Sequence, residues 1–239
     1  MSKFTILDPK QHKDLQVITD RDVTYGDNHH FVPVLADELR ALVAEYPVCF
    51  LKDNQTGKLG ISALTGFEQG ENLYLQDKNW QARYIPLHVY RQPFMVGIQG
   101  NDGEQATQDN TVVTIDLASS RVNKKEGQAL FDDNGNATPY LEKISQALAK
   151  LVHGSPRTEQ FIQALLDNDL IMPIQLAFPL SNGEKKSFNG IYNIDEEKLA
   201  SLSGEALQSF HKKGYLQACH LILASFGQIQ KLIDWKNNQ

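Results

Sequence analysis

Ile171-Met172-Pro173-Ile174-Gln175-Leu176-Ala177-Phe178-Pro179-Leu180, then Ser181-Asn182-Gly183-Glu184, then Ser187-Phe188-Asn189-Gly190-Ile191-Tyr192-Asn193-Ile194: two β-prone runs flank a cluster of turn residues, the pattern of a hairpin. Helical sequence follows. Asp195 is placed to cap Glu196 to Ser201, whose acidic start suits the positive end of a helix dipole. A longer helical region runs from Gly204 to Trp235 and is hinged at Gly214. Within it Leu216, Cys219, Leu223, Phe226, Ile229 and Ile233 form an apolar stripe, read as the core-facing side.

The same order occurs upstream. Pro93 to Gln99 and Thr111 to Leu117 read as strands joined by the acidic loop Gly100 to Asn110. Thr138 to His153 then reads as an amphipathic helix, with Leu141, Ile144, Leu148, Leu151 and Val152 on one face and Pro139 in its first turn. Gly154-Ser155-Pro156 reads as a break before a second helix, Thr158 to Asn168. Earlier still, Val48 to Leu51, the turn cluster Lys52 to Gly57 and Lys58 to Leu64 give another hairpin. Ahead of it, Val34 to Ala44 reads as a short helix limited by Pro47, and residues 1–33 read as polar and irregular. Strand pairs followed by helices predict an α+β fold, with antiparallel β hairpins packed against helices and a C-terminal helical segment.

The chain has 239 residues, 41% of them hydrophobic and 22% charged, and a net charge of −6, which excludes a disordered tail or a coiled-coil rod. An acidic chain whose lysines come as dispersed pairs, such as Lys124-Lys125 and Lys212-Lys213, predicts no nucleic-acid partner. No window approaches the ~20 apolar residues of a membrane span. The N-terminus also lacks the apolar core of an export signal, so the expected location is cytoplasmic. Cys49 and Cys219 both sit among apolar neighbours and read as buried, reduced thiols rather than a bridge.

Motifs for chemistry are sparse. His29-His30 lacks the ligand spacing of a zinc or iron site, and Asp132-Asp133-Asn134-Gly135 fails the calcium-loop register, so no metal and no cofactor is predicted. Gly66 to Gly70, followed by Glu71-Asn72, lacks a phosphate-loop ending and reads as a turn in which Asn72 bonds the local backbone. The densest stretch is Trp80-Gln81-Ala82-Arg83-Tyr84-Ile85-Pro86-Leu87-His88-Val89-Tyr90-Arg91-Gln92-Pro93-Phe94. Aromatic faces and arginine forks together suit a carboxylate, an aromatic group or a peptide. An aromatic corner whose arginines pair with local acids is the alternative, because aromatic side chains are common in cores.

That stretch and its neighbours resemble the SapC family of bacterial proteins. The resemblance is carried by Asn28-His29-His30-Phe31-Val32-Pro33-Val34, Tyr46-Pro47-Val48-Cys49-Phe50, Gly70-Glu71-Asn72-Leu73-Tyr74, Tyr84-Ile85-Pro86, Gln92-Pro93-Phe94, Asn189 to Leu199 and Lys213 to Leu221. It implies one SapC-like domain over residues 25–235, preceded by an N-terminal extension, 1–24. Where the family often has Arg-Arg-Tyr-Pro-Phe, this chain has Tyr90-Arg91-Gln92-Pro93-Phe94, with one positive charge fewer. The resemblance brings no catalytic residues with it; the family name comes from surface-layer biology, and its members look like accessory proteins.

Three readings follow. The first is a cytoplasmic accessory protein that binds a peptide, partner protein or small metabolite through Trp80, Arg83, Tyr84 and Arg91, with Asn72 and His29 as further contacts; homodimerisation is left open. The second is an enzyme whose general acid and base come from His29, His30, Glu71, Asn72 and His88. The third is a surface-layer-associated structural protein, suggested by the family name.

Overall fold

The computed structural model describes residues 3–99, 110–179, 181, 183 and 185–238. The acidic loop expected after Gln99 therefore lies outside the described residues, Asn110 excepted, as do Asn182 and Glu184. The fold is α+β. The chain divides into two compact units. One comprises Met1–Asp27, Leu75–Trp80 and Leu87–His153; the other comprises Asn28–Tyr74, Gln81–Pro86 and Gly154–Gln239.

In the first unit the expected strand pair forms, as Phe94–Ile98 and Thr111–Asp116. On its other side Thr111–Asp116 pairs antiparallel with Phe4–Ile6, so the sheet has three strands. A smaller sheet places Gln16–Val17 between Val122–Asn123 and Gln128–Ala129. The N-terminal stretch is thus not irregular as its sequence suggests. It holds these two strands, a helical turn at Pro9–His12 capped by the Asp8 side chain, and a 3-10 turn at Val23–Tyr25. Each element is two to four residues long, too short for periodicity to register.

This unit closes around Arg121, which is 1% exposed. Its guanidinium donates to the carbonyls of Ile18 and Asp20 and to Asp27 Oδ2 at 2.5 Å, and lies over the Tyr25 ring at 4.8 Å. Arg21 approaches the same carboxylate at 3.5 Å and donates to the Val89 carbonyl. Burial lowers the Arg21 pKa, opposed by Asp27.

The second unit is built on a five-stranded antiparallel sheet, in the order Ile171–Pro179, Lys185–Ile194, Val48–Lys52, Leu59–Leu64, Phe31–Pro33. Both hairpins expected here are present. Lys185–Ile194 joins Val48–Lys52 through Ile191 and Tyr192, opposite Leu51 and Phe50, while the hairpin partner Ile171–Pro179 forms the sheet edge. Helices Gly204–Lys212 and Tyr215–Ser225 are separated by Gly214, which takes the left-handed conformation (φ +74°) that glycine permits. Asp195 caps Glu196–Ala200 by accepting the Lys198 amide.

Two further expectations need correction. The stripe on the last helices is rotated: Cys219, Ile222, Ser225 and Leu232 are buried, whereas Leu216, Leu223, Phe226, Ile229 and Ile233 are half-buried. A buried serine at the centre of that face hides it from hydrophobic periodicity. Second, no break occurs at Gly154-Ser155-Pro156; one helix runs Pro139–Asp167 with Pro156 inside it. Gly154 serves packing instead, since a Cβ there would lie 2.5 Å from Leu35 Cδ1. Next to it, the Thr158 hydroxyl donates to the Gly154 carbonyl at 2.9 Å and accepts the Ala36 amide at 3.0 Å.

Candidate functional site

The residues singled out from the sequence divide between the units. His29, His30, Glu71, Asn72, Arg83 and Tyr84 belong to the second; Trp80, His88 and Arg91 belong to the first.

In the second unit the Asn-His-His and Gly-Glu-Asn segments meet across Thr65-Gly66. The Thr65 hydroxyl donates to the His29 carbonyl, and the amides of Thr65 and Gly66 donate to the His30 carbonyl. The Leu73 amide returns to the Thr65 carbonyl. Gly66 allows this closeness, because a Cβ there would lie 2.8 Å from the Glu71 carbonyl oxygen. His29 is exposed and His30 half-buried; burial lowers the His30 pKa, with Glu71 opposing and His29 adding to the effect. Glu71 accepts the Phe67 amide and the Lys236 ammonium, and that second hydrogen bond raises the Lys236 pKa against the effect of burial. Asn72 is buried and accepts the Tyr74 amide, closing the expected turn.

Arg83 and Tyr84 lie against the turn that follows Leu39–Leu42. The Tyr46 hydroxyl donates to the Tyr84 carbonyl, and the Tyr84 hydroxyl donates to Glu38 Oε1 at 2.9 Å. Burial and the Glu38 charge raise the Tyr84 pKa. Arg83 is exposed. Beside them Tyr46 stacks on Tyr74 at 4.5 Å, and Lys231 sits 5.1 Å from both the Tyr74 and Trp235 rings while donating to the Glu45 carbonyl. Burial lowers the Lys231 pKa, opposed by Glu45.

In the first unit Trp80 is buried in a two-residue strand opposite Leu75. His88 is half-buried in the helical turn Leu87–Tyr90; burial, with a further push from Arg91, lowers its pKa to about 4. Arg91 donates to the Phe94 carbonyl at 2.6 Å and has no carboxylate partner among the described residues. It lines a pocket of about 230 Å³ with Gln92, Pro93, Phe4, Met95 and Asp116.

That pocket opens on a sheet face the sequence reading did not single out. Ile6 and Met95 both pair with Thr114, and Phe4 pairs with Asp116, so register puts all five side chains on one face. Phe4, Ile6 and Met95 are 46%, 48% and 40% exposed. An antiparallel sheet with one solvated face normally turns polar side chains outward, and this one turns three large apolar ones. The signal was present in Phe94-Met95-Val96, apolar on both sides of a strand. Asp116 Oδ1 accepts the Lys3 and Ala118 amides, which ties that carboxylate to the backbone, and Arg91 stands at the rim beside it without an ion pair among the described residues.

A family model described as SapC matches residues 7–232. The chain belongs to the SapC family. No curated protein and no solved structure matches it. In this SapC-family chain no group of three or more His, Cys, Asp or Glu side chains is placed to hold a metal ion among the described residues. Likewise, no helix among them is long and apolar enough to cross a membrane. Cys49 and Cys219 are free and buried, and burial pushes both thiols up to about 12.

Proposed function

We propose that this SapC-family chain is a cytoplasmic accessory protein that binds a partner protein through the outer face of the first unit's three-stranded sheet. The observation that carries this reading is the row Ile6–Thr114–Met95 with Phe4 beside it, exposed and ending at the Arg91 pocket. A complementary partner offers an apolar strip and a carboxylate at its end, which the arginine fork can take in two parallel hydrogen bonds. Two free, buried thiols are in keeping with a reducing compartment.

The test places a photo-crosslinking amino acid at position 95 in the producing cells. A discrete adduct with one protein, identified by mass and weakened by Arg91→Gln, is the expected result. No adduct, or the same adducts from exposed Lys124, removes the reading.

A second reading draws on the contact between Asn28-His29-His30 and Glu71-Asn72 across Thr65-Gly66. It is an enzyme in which His29 and His30 move protons and Glu71 tunes His30. Its test is histidine titration by NMR in wild type and Glu71→Gln; an unchanged His30 midpoint removes that coupling.

A further inference from the structure

The second unit holds a groove of about 490 Å³ between the end of the hairpin Val48–Lys52/Leu59–Leu64 and the second half of the helix Pro139–Asp167. That volume lies in the range of sites for small molecules, ~300–1,000 Å³. Its apolar surface comes from Leu59, Ile162, Leu166 and Tyr192. Leu166 is 45% exposed, an apolar side chain left open to solvent on a helix whose neighbours Phe161, Ile162 and Leu165 are buried.

Lys52 and Lys58 flank this surface from the hairpin, and neither has an ion-pair partner among the described residues. The nearest acid in sequence is Asp53, which stays charged but is turned into the hairpin end by its hydrogen bonds. Asp53 Oδ1 accepts the Gln55 and Thr56 amides and the Thr56 hydroxyl, and the Asp53 carbonyl accepts the Gly57 amide. These bonds hold the shape of the hairpin end, and its two lysines, in no ion pair among the described residues, border an apolar floor. Glu159, on the helix wall, brings the charge of the lining to +1.

We infer that this groove is a binding site for an amphipathic monoanion, a carboxylate on a hydrophobic body, with the head between Lys52 and Lys58 and the body on Ile162, Leu166 and Tyr192. The inference concerns a different unit from the protein-docking face and stands without it. Burial of the hydrocarbon supplies affinity, and the two lysines select the sign of the head group.

The experiment is calorimetric titration of the full chain with sodium octanoate and with octylammonium chloride, which share one apolar body and differ in head charge. Octanoate is expected to saturate at one per chain and to bind more tightly than octylammonium. The double variant Lys52→Gln/Lys58→Gln should weaken octanoate about tenfold, the scale of two exposed ion pairs. Leu166→Ser should weaken both ligands together, and Lys124→Gln should change neither. All four substituted positions are exposed, and circular dichroism verifies that each variant is folded. Absence of saturable octanoate binding, equal binding of octylammonium, or binding indifferent to Lys52 and Lys58 overturns the inference.

Discussion

The hydroxyl of Ser225 accepts the amide of Val48 at 2.9 Å and donates to the carbonyl of Ile222 at 2.6 Å, with Ser225 fully buried. A helix thereby supplies the hydrogen bond that the first residue of a central strand needs. Ser225→Ala leaves that amide unpaired in the core, a cost of about 1–3 kcal/mol. Urea denaturation measures the loss, and faster hydrogen exchange at Val48 locates it. Unchanged stability would show that the amide finds another partner.

Gly154 and Pro156 should respond in opposite directions to alanine. At Gly154 the new Cβ meets Leu35, itself buried, so overpacking of about 1–3 kcal/mol outweighs the ~1 kcal/mol gain in helix propensity. At Pro156, exposed within the helix, alanine restores a hydrogen-bonding amide, and the midpoint of thermal unfolding should rise. Thermal melts of the two variants settle the matter; a stabilised Gly154→Ala would mean that Leu35 yields freely.

Asp27→Asn removes the carboxylate shared by Arg21 and Arg121 and leaves two buried guanidinium groups against each other. Breaking a buried pair in this way costs about 3–5 kcal/mol. Arg121→Lys should also destabilise, because a compact ammonium lacks the planar fork whose two nitrogens reach the two carbonyls on one side and the carboxylate on the other. Chemical denaturation of both variants is the measurement, and near-wild-type stability in either refutes the account.

The depressed pKa of His88 makes stability depend on pH. The unfolded histidine takes up its proton near pH 6.5 and the folded one near 4, so between those values the unfolded chain binds more protons. His88 therefore contributes fully above pH 6.5, and its contribution is lost as pH falls towards 4, up to roughly 3 kcal/mol at 1.36 kcal/mol per pH unit. Denaturation at pH 7 and pH 5 should show the fall in wild type and a smaller one in His88→Gln. Equal slopes would take His88 out of the account.

Local signals in the sequence carried as far as local physics reaches. The strands on either side of the Lys52 to Gly57 turn, the Asp195 cap, the hinge at Gly214 and the Asn72 turn each depend on residues a few positions apart, and each is in place. Gly154 misled because its reason is Leu35, 119 positions away, rather than its own helix propensity. Arg121 and Asp27 were invisible as a pair for the same reason. In the candidate site, Arg91 stood out by its aromatic surroundings. The apolar face beside it did not, because Phe4, Ile6 and Met95 become one patch only once Thr111–Asp116 lies between their strands.

The interleaving of segments also sets an order in time. Phe4–Ile6 cannot pair until Thr111–Asp116 has been synthesised, and Asp27 waits for Arg121. At ~5–20 residues per second of translation, the first strand of the nascent chain stays unpaired for on the order of 5–20 s, with Phe4 and Ile6 open to whatever holds young polypeptides. The second unit waits longer, since the Val48 amide is satisfied by Ser225. Neither unit can close behind the ribosome as its first residues emerge, and both are assembled late from strands made early.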